Sequence, residues 1–354
     1  MSEGVTSVLP FDTGQLERVV AQLAKRPPVH VHDVLSGNIN TILKVECEGQ
    51  LYGLRVRTQE QIYRYEPDLV KEACVAELLK SGTQLQTDAT RADLFADVLT
   101  SRYGVLNTAG GILPCLRYYD WTRQVLAYPY CVYEWVEGVP LWDIPHAELY
   151  YAAGQTLAQI HTVQFTDFYA DFVSIGKQPV QWAQRFRSAL DTEIPAACRH
   201  LPQALGKSLA ALTFPPTLAL TPCLVHNDYA PGNILVHNSS QNSSLAAVID
   251  WDNAVIDAPP LDFVKMKYWT AKDATGQLVY EPRLFQAFVD GYGPAGQDIV
   301  ESLAFALYEV LWLLRVFNFE YSKQEQRLGR APGYPEAGVY EGFLVEALDR
   351  LKKF

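Results

Sequence analysis

The sequence predicts an α+β protein of two lobes, an N-terminal antiparallel sheet with a helix and a larger, mainly helical C-terminal part. Three observations carry that prediction. Apolar residues alternate with period two in short runs up to about residue 135, they recur with helical spacing beyond Gly138, and 354 residues at 49% hydrophobic content suffice for two cores. The change of period divides the chain into 1–133 and 139–354, with 134–138 between them.

A polar-capped apolar pattern from Thr13 to Leu23 predicts a leading helix stopped by Pro27-Pro28. Val34-Leu35, Thr41–Val45 and Leu51–Arg57 then read as antiparallel strands, the last two joined by a turn at Glu48-Gly49-Gln50. Leu69–Leu79 has helical apolar spacing at Val75, Leu78 and Leu79. Residues 82–110 are a polar insertion with a short helix expected near Ala92–Ser101, and Ile112–Tyr119 and Tyr130–Tyr133 complete the sheet. Beyond Gly138, Leu149, Ala153, Leu157 and Ile160 share one helix face, and further helices are expected within Val180–Leu212, Arg283–Asp290, Ile299–Phe317 and Tyr340–Leu351.

Composition excludes several function classes. The balance of 29 Lys and Arg against 40 Asp and Glu, a net −11, disfavours a nucleic-acid backbone as partner and suits a cationic small molecule. There is no 18-residue apolar run and no basic segment followed by an apolar one at the start, so a cytosolic protein without a membrane anchor is expected. The six cysteines form no Cys-x-x-Cys pair, which argues against a zinc site or a disulfide framework. Oligomeric state is not readable from these features.

The most informative stretch is His226-Asn227-Asp228-Tyr229-Ala230-Pro231-Gly232-Asn233, followed by Val248-Ile249-Asp250-Trp251-Asp252. Taken singly, Asn and Asp beside Pro231-Gly232 are turn formers, and Asp250 caps an apolar strand. Taken together, an Asp and an Asn with four residues between them and a second Asp after a strand suit phosphoryl transfer. The attacking hydroxyl needs a carboxylate to take its proton, which fits Asp228, and a polyphosphate needs metal ions on oxygen ligands, which fits Asn233 and Asp250. No G-x-x-x-x-G-K-[ST] sequence is present, which excludes a P-loop site.

These two motifs resemble the aminoglycoside phosphotransferase family, whose relatives include choline and homoserine kinases, and matching segments run in order from about Val34 to Asp262. The resemblance implies a two-lobed, protein-kinase-like fold and an enzyme using ATP and Mg2+ to phosphorylate a hydroxyl of a small molecule. An aminoglycoside or other amino sugar is one acceptor class, and choline, ethanolamine or homoserine is the alternative. A nucleotide-binding module without catalysis is a second alternative, and GTP in place of ATP stays open.

Carried over residue by residue, Asp228 is the base and His226 orders its loop. Arg55 stands where relatives carry the phosphate-binding cation, with Arg57 as competitor, and Glu72 is its helix partner. Gly37, Asn38 and Asn40 occupy the place of the phosphate-covering loop, where a plain hairpin turn is the other reading. The carbonyl of Glu134 and the N–H of Val136 meet adenine, with Tyr133 behind it. Asp262 ties the second lobe together. Trp269, Asp290 and Glu309 are substrate-binding candidates, an ammonium being held by charge and cation–π contact. This chain departs from the family in having Asn227, Asp257 and Ala258 where glycine, glycine and aspartate are usual.

Overall fold

The computed structural model describes residues 12–21, 29–36, 40–57, 69–80, 91–92, 103–105, 113–238, 243–325 and 333–354. The chain forms two compact units. One comprises Met1–Glu137 with Ala246–Ala254, and the other Gly138–Leu245 with Val255–Phe354. The first unit therefore takes in a later return of the chain, which contiguous boundaries do not contain.

In the first unit, helix α1 (Thr13–Val20) starts at Asp12, whose side chain accepts from the backbone N–H of Gln15 while the Gln15 side chain answers in return. Six strands follow: β1 (Val29–Ser36), β2 (Asn40–Cys47), β3 (Gln50–Arg57), β4 (Tyr103–Val105), β5 (Leu116–Asp120) and β6 (Tyr130–Glu134). Their order is β1-β2-β3-β6-β5-β4, every pair antiparallel. Between β2 and β3 the turn is two residues, Glu48 at φ 52 and Gly49 at φ 77. Positive φ at both positions matches the twist of the flanking strands.

Period-two burial along β2 sends Leu43, Val45 and Cys47 into a core with Leu54, Val56, Tyr130 and Val132, closed by Leu16 and Val19 of α1. β1 begins five residues before the expected Val34, and β4 was not expected, its three residues being too few to show a period. Most of 82–110, with the helix expected near Ala92–Ser101, lies outside the described residues, as do Pro27-Pro28, Gly37 and Asn38. Helix α2 (Leu69–Lys80) supplies Glu72.

The second unit is mainly helical. Helix α3 (Ala147–His161) packs on α7 (Pro282–Tyr292) so closely that a Cβ at Gly291 would stand 1.9 Å from the Tyr151 carbonyl oxygen, a contact only glycine allows. The expected 180–212 segment is two helices, α4 (Trp182–Ala197) and α5 (Gln203–Ala210), parted before Pro202. The helix expected over Ile299–Phe317 is also two, α8 (Pro294–Val300) and α9 (Leu303–Glu325). The break comes where Ser302 Oγ accepts from the Phe305 N–H at 3.1 Å, an N-terminal bond that serine makes at the expense of helix continuity.

Strand β7 (Cys223–Val225), leading into the motif loop, pairs antiparallel with β8 (Val255–Asp257). Helices α6 (Pro260–Tyr268) and α10 (Ala337–Leu351) complete the frame used below. The six cysteines are free thiols. Among the described residues no helix is long and apolar enough to cross a membrane.

Candidate active site

In the first unit the centre is Arg55, on β3. Its Nη1 meets Glu72 of α2, and its Nη2 bonds Asp250 Oδ1 at 2.6 Å and Asp252 Oδ2 at 2.7 Å. With its amide oxygen toward the guanidinium, Asn40 accepts from Nη2 at 2.5 Å and Nε at 3.0 Å, the orientation a donor-only group requires. Only a planar fork serves this many acceptors at once, so arginine here is no simple exchange for lysine. Arg57, two residues on, has no place in this cluster.

Three carboxylates around one guanidinium leave two negative charges uncancelled if all ionise. Burial raises the Asp252 carboxyl well above the ordinary range, with Asp250 adding to it against the pull of Arg55. Burial likewise pushes Glu72 up to about 7, although Arg55 works the other way. Burial opposes the Arg55 charge, yet the facing carboxylates raise its pKa well above normal, so the guanidinium stays ionised. The Tyr133 hydroxyl donates to Glu72, and the Trp251 N–H supports the same carboxylate.

Exposure separates the three acids. Asp250 keeps 36% of its side chain accessible against 4% for Asp252 and 5% for Glu72, so Asp250 is the one able to reach a ligand. It sits in left-handed backbone, φ 69 and ψ 57, immediately before a 3-10 turn at Trp251–Asn253. Near the first unit's end, Glu134 pairs with Arg117, and the Trp135 N–H donates to the Leu51 carbonyl at 3.0 Å. Val136 lies partly buried beside them.

In the second unit the motif loop is held from below by Asp262, 1% exposed, on α6. Its two oxygens accept the backbone N–H groups of His226 at 2.8 Å and Asn227 at 2.7 Å, and His161 Nε2 lies 3.1 Å away. Asn227 has φ 62, which explains why asparagine can stand where the family carries glycine: among residues with a Cβ, it tolerates this region best. Buried His226 turns Nδ1 to the Asp228 N–H at 3.2 Å, so it orders the loop from within.

Asn233 ends a 3-10 turn, Pro231–Asn233, and its Nδ2 donates to the Asp228 carbonyl at 2.9 Å. That bond sets the amide oxygen as the end able to coordinate a cation. One turn beyond Asp262 on α6, Lys265 makes an ion pair with Asp228 Oδ1. Departure from the family at 257 also has a structural use: Asp257 bonds Tyr308 and pairs with Arg185 at 2.8 Å.

Of the substrate candidates, Trp269 is buried with its Nε1 on the Tyr340 hydroxyl at 3.2 Å. Glu309 is fully buried, bonded to Lys267 at 2.5 Å and Arg350 at 2.7 Å. Asp290 is exposed and accepts from Gln286 Nε2 at 2.9 Å. Sequence reasoning missed Asp252 and Lys265. Asp252 was legible as a second carboxylate in Asp-Trp-Asp, and Lys265 as the residue one helical turn after Asp262. Among the described residues no three His, Cys, Asp or Glu side chains are arranged to hold a metal by themselves.

A model of a phosphotransferase enzyme family matches residues 88–305. No curated protein matches the chain in sequence. Among solved structures, a "putative aminoglycoside phosphotransferase" from Ralstonia eutropha JMP134 is similar at a TM-score of 0.64 and 16% identity, over 97% of this chain and 99% of its own. A thermostable mutant of aminoglycoside phosphotransferase APH(4)-Ia, in ternary complex with AMP-PNP and hygromycin B, is similar at 0.55 and 14%, over 95% and 98%. ADP-bound APH(2'')-Ib follows at 0.52 and 15%, over 96% and 98%. At these identities the likeness establishes the fold, an α+β kinase-like architecture.

Proposed function

The chain belongs to the phosphotransferase enzyme family, and from that premise we propose that it transfers the γ-phosphoryl group of ATP to a hydroxyl of a small molecule, with Mg2+. The observation that carries the reading is Arg55 among Glu72, Asp250 and Asp252, with Asp250 alone accessible. A cluster with one open carboxylate fits a cation that completes its shell with phosphate oxygens and water, as magnesium does.

Asn233 and Asp250 would hold the metal. Bound there, magnesium neutralises charge on the phosphates during transfer. Arg55, oriented by Glu72, grips the non-reacting phosphates, and Asn40 steadies that guanidinium. Asp228 orients the acceptor hydroxyl and takes its proton. Adenine is met by the Glu134 carbonyl and the Val136 N–H with Tyr133 behind, in a hinge at 134–138 between a nucleotide lobe (1–133) and a catalytic and substrate lobe (139–354). Gly37 and Asn38 would cover the phosphates.

Aminoglycosides are among the acceptors to test, because solved proteins of this fold include one with hygromycin B bound. Amino alcohols and homoserine come next. Nucleic acid is not among the partners, and a cytosolic setting supplies the nucleotide.

The test is ADP release with magnesium and ATP over aminoglycosides, choline, ethanolamine, homoserine and simple sugars, with Asp228→Ala as control. Acceptor-dependent release that the variant loses supports the kinase. Intact ATP binding with no turnover on any acceptor, or on water, favours a nucleotide-binding module instead.

A further inference from the structure

Lys265 is engaged twice. Its ammonium pairs with Asp228 Oδ1 and lies 5.7 Å from the centre of the Trp269 ring. Glu309 is matched in the same way by Lys267 and Arg350. The carboxylate that would take the proton, the indole and the buried acid that could receive a substrate ammonium thus each hold a cation belonging to the chain itself.

Placement makes the Lys265 contact a built one. Asp262 and Lys265 stand three residues apart on α6, on one face of the helix. Asp262 fixes the backbone at His226 and Asn227, and Lys265 takes the next side chain, Asp228. One helix thus holds both the backbone of the loop and the carboxylate of Asp228.

We propose that Lys265 determines acceptor specificity: it makes the acceptor a neutral or anionic hydroxyl compound, a polyol or hydroxy acid, in place of an amine-bearing one. This rests on the reading of Asp228 as the base. An acceptor with an ammonium near its reacting hydroxyl would bring a like charge against Lys265, in a setting where side chains are about one-fifth exposed and water screens poorly. A carboxylate or hydroxyl on the acceptor meets the same ammonium favourably.

In the transfer, the acceptor oxygen bonds to the γ-phosphorus as the bond from that phosphorus to the β–γ bridging oxygen breaks, and the electron pair leaves on ADP. The hydroxyl proton passes to Oδ2 of Asp228, since Lys265 occupies Oδ1. Lys265 keeps its own protons throughout.

Full-length protein with magnesium and ATP is assayed for ADP release with two pools, one of glycerol, D-ribose and D-glycerate, the other of choline, ethanolamine and kanamycin, at equal concentrations. The expected result is a higher kcat/KM with the first pool. Lys265→Met should then lower the ratio of first to second pool by about tenfold or more, chiefly through KM, while Lys265→Arg holds it within about threefold.

A wild-type preference for the amine pool, stimulation by neither pool, or a ratio unmoved in folded Lys265→Met would overturn the proposal. Should Lys265→Met fail to fold by circular dichroism, the wild-type preference and the Arg variant decide. Failure of the kinase reading itself looks different: ATP, even when bound, is then turned over neither with any acceptor nor with water, and Asp228→Ala changes nothing.

Discussion

Trp142 fills the space that any residue other than glycine at 232 would need for its Cβ. A Cβ built on Gly232 stands 2.3 Å from the indole Cη2, and the ring is itself covered by Lys272, whose Nζ lies 4.7 Å from its centre. Trp142, in the 3-10 turn Leu141–Asp143, is therefore the stop against which the turn Pro231–Asn233 rests, and that turn carries Asn233.

Gly232→Ala is expected to lower kcat about a hundredfold, by displacing Asn233 by a fraction of an ångström, while costing only ~1 kcal/mol of stability, because the half-buried indole can give way. Steady-state kinetics beside a urea titration check it, and the double variant Gly232→Ala with Trp142→Leu should recover part of the rate. Equal rates in wild type and variant would refute the role of the stop.

Removing the Asp262 carboxylate takes away the acceptor of the N–H groups of buried His226 and half-buried Asn227. Asp262→Ala should destabilise by about 3 kcal/mol, and Asp262→Asn by less, since one amide oxygen remains to accept. Denaturant midpoints at constant slope measure this.

Replacing Arg55 by lysine exchanges a fork for a point charge among three carboxylates. Arg55→Lys should raise KM for ATP about tenfold and lower the Tm, with magnesium and nucleotide raising that Tm by less than in the wild type. Thermal melts with and without magnesium and nucleotide give the comparison.

The Glu72 carboxyl, raised from 4.5 to about 7 chiefly by burial, sets a sign for the pH dependence of stability. Between these values the folded protein holds a proton that the unfolded chain has lost, so stability falls as pH rises through the window, by at most ~3 kcal/mol. Asp252, raised for the same reason, contributes with the same sign. Glu72→Gln should flatten the slope of Tm against pH from 4.5 to 7. An unchanged slope would show that Glu72 stays ionised in the folded state.

Asp228→Asn keeps the shape of the side chain and removes its basicity. kcat is expected to fall about 10²–10⁴-fold while the Kd for ATP, read by calorimetry, stays within about twofold.

The sequence by itself determined most of the order of elements and singled out the motifs as candidates. Period-two runs announced β2 and β3, helical spacing announced α3, and an Asp, an Asn and a second Asp at fixed intervals named candidate ligands and a base, because these signals are local and survive without neighbours. The motif match favours Arg55 over Arg57 as the phosphate-binding cation, and the structure buries Arg55 among acids.

What only the tertiary structure decided were relations between residues far apart in the chain. Asp252 joins Arg55 across 197 positions, and Lys265 reaches Asp228 across 37. Neither distance leaves a period in the sequence, since the pairing depends on where sheets and helices pack. The same holds for Glu309, a candidate ammonium partner in the sequence and a buried acid in the structure. Its burial and its two cationic partners come from α9 and α10 closing on Lys267 of α6, and it is packing of that kind that assigns a charge to the interior.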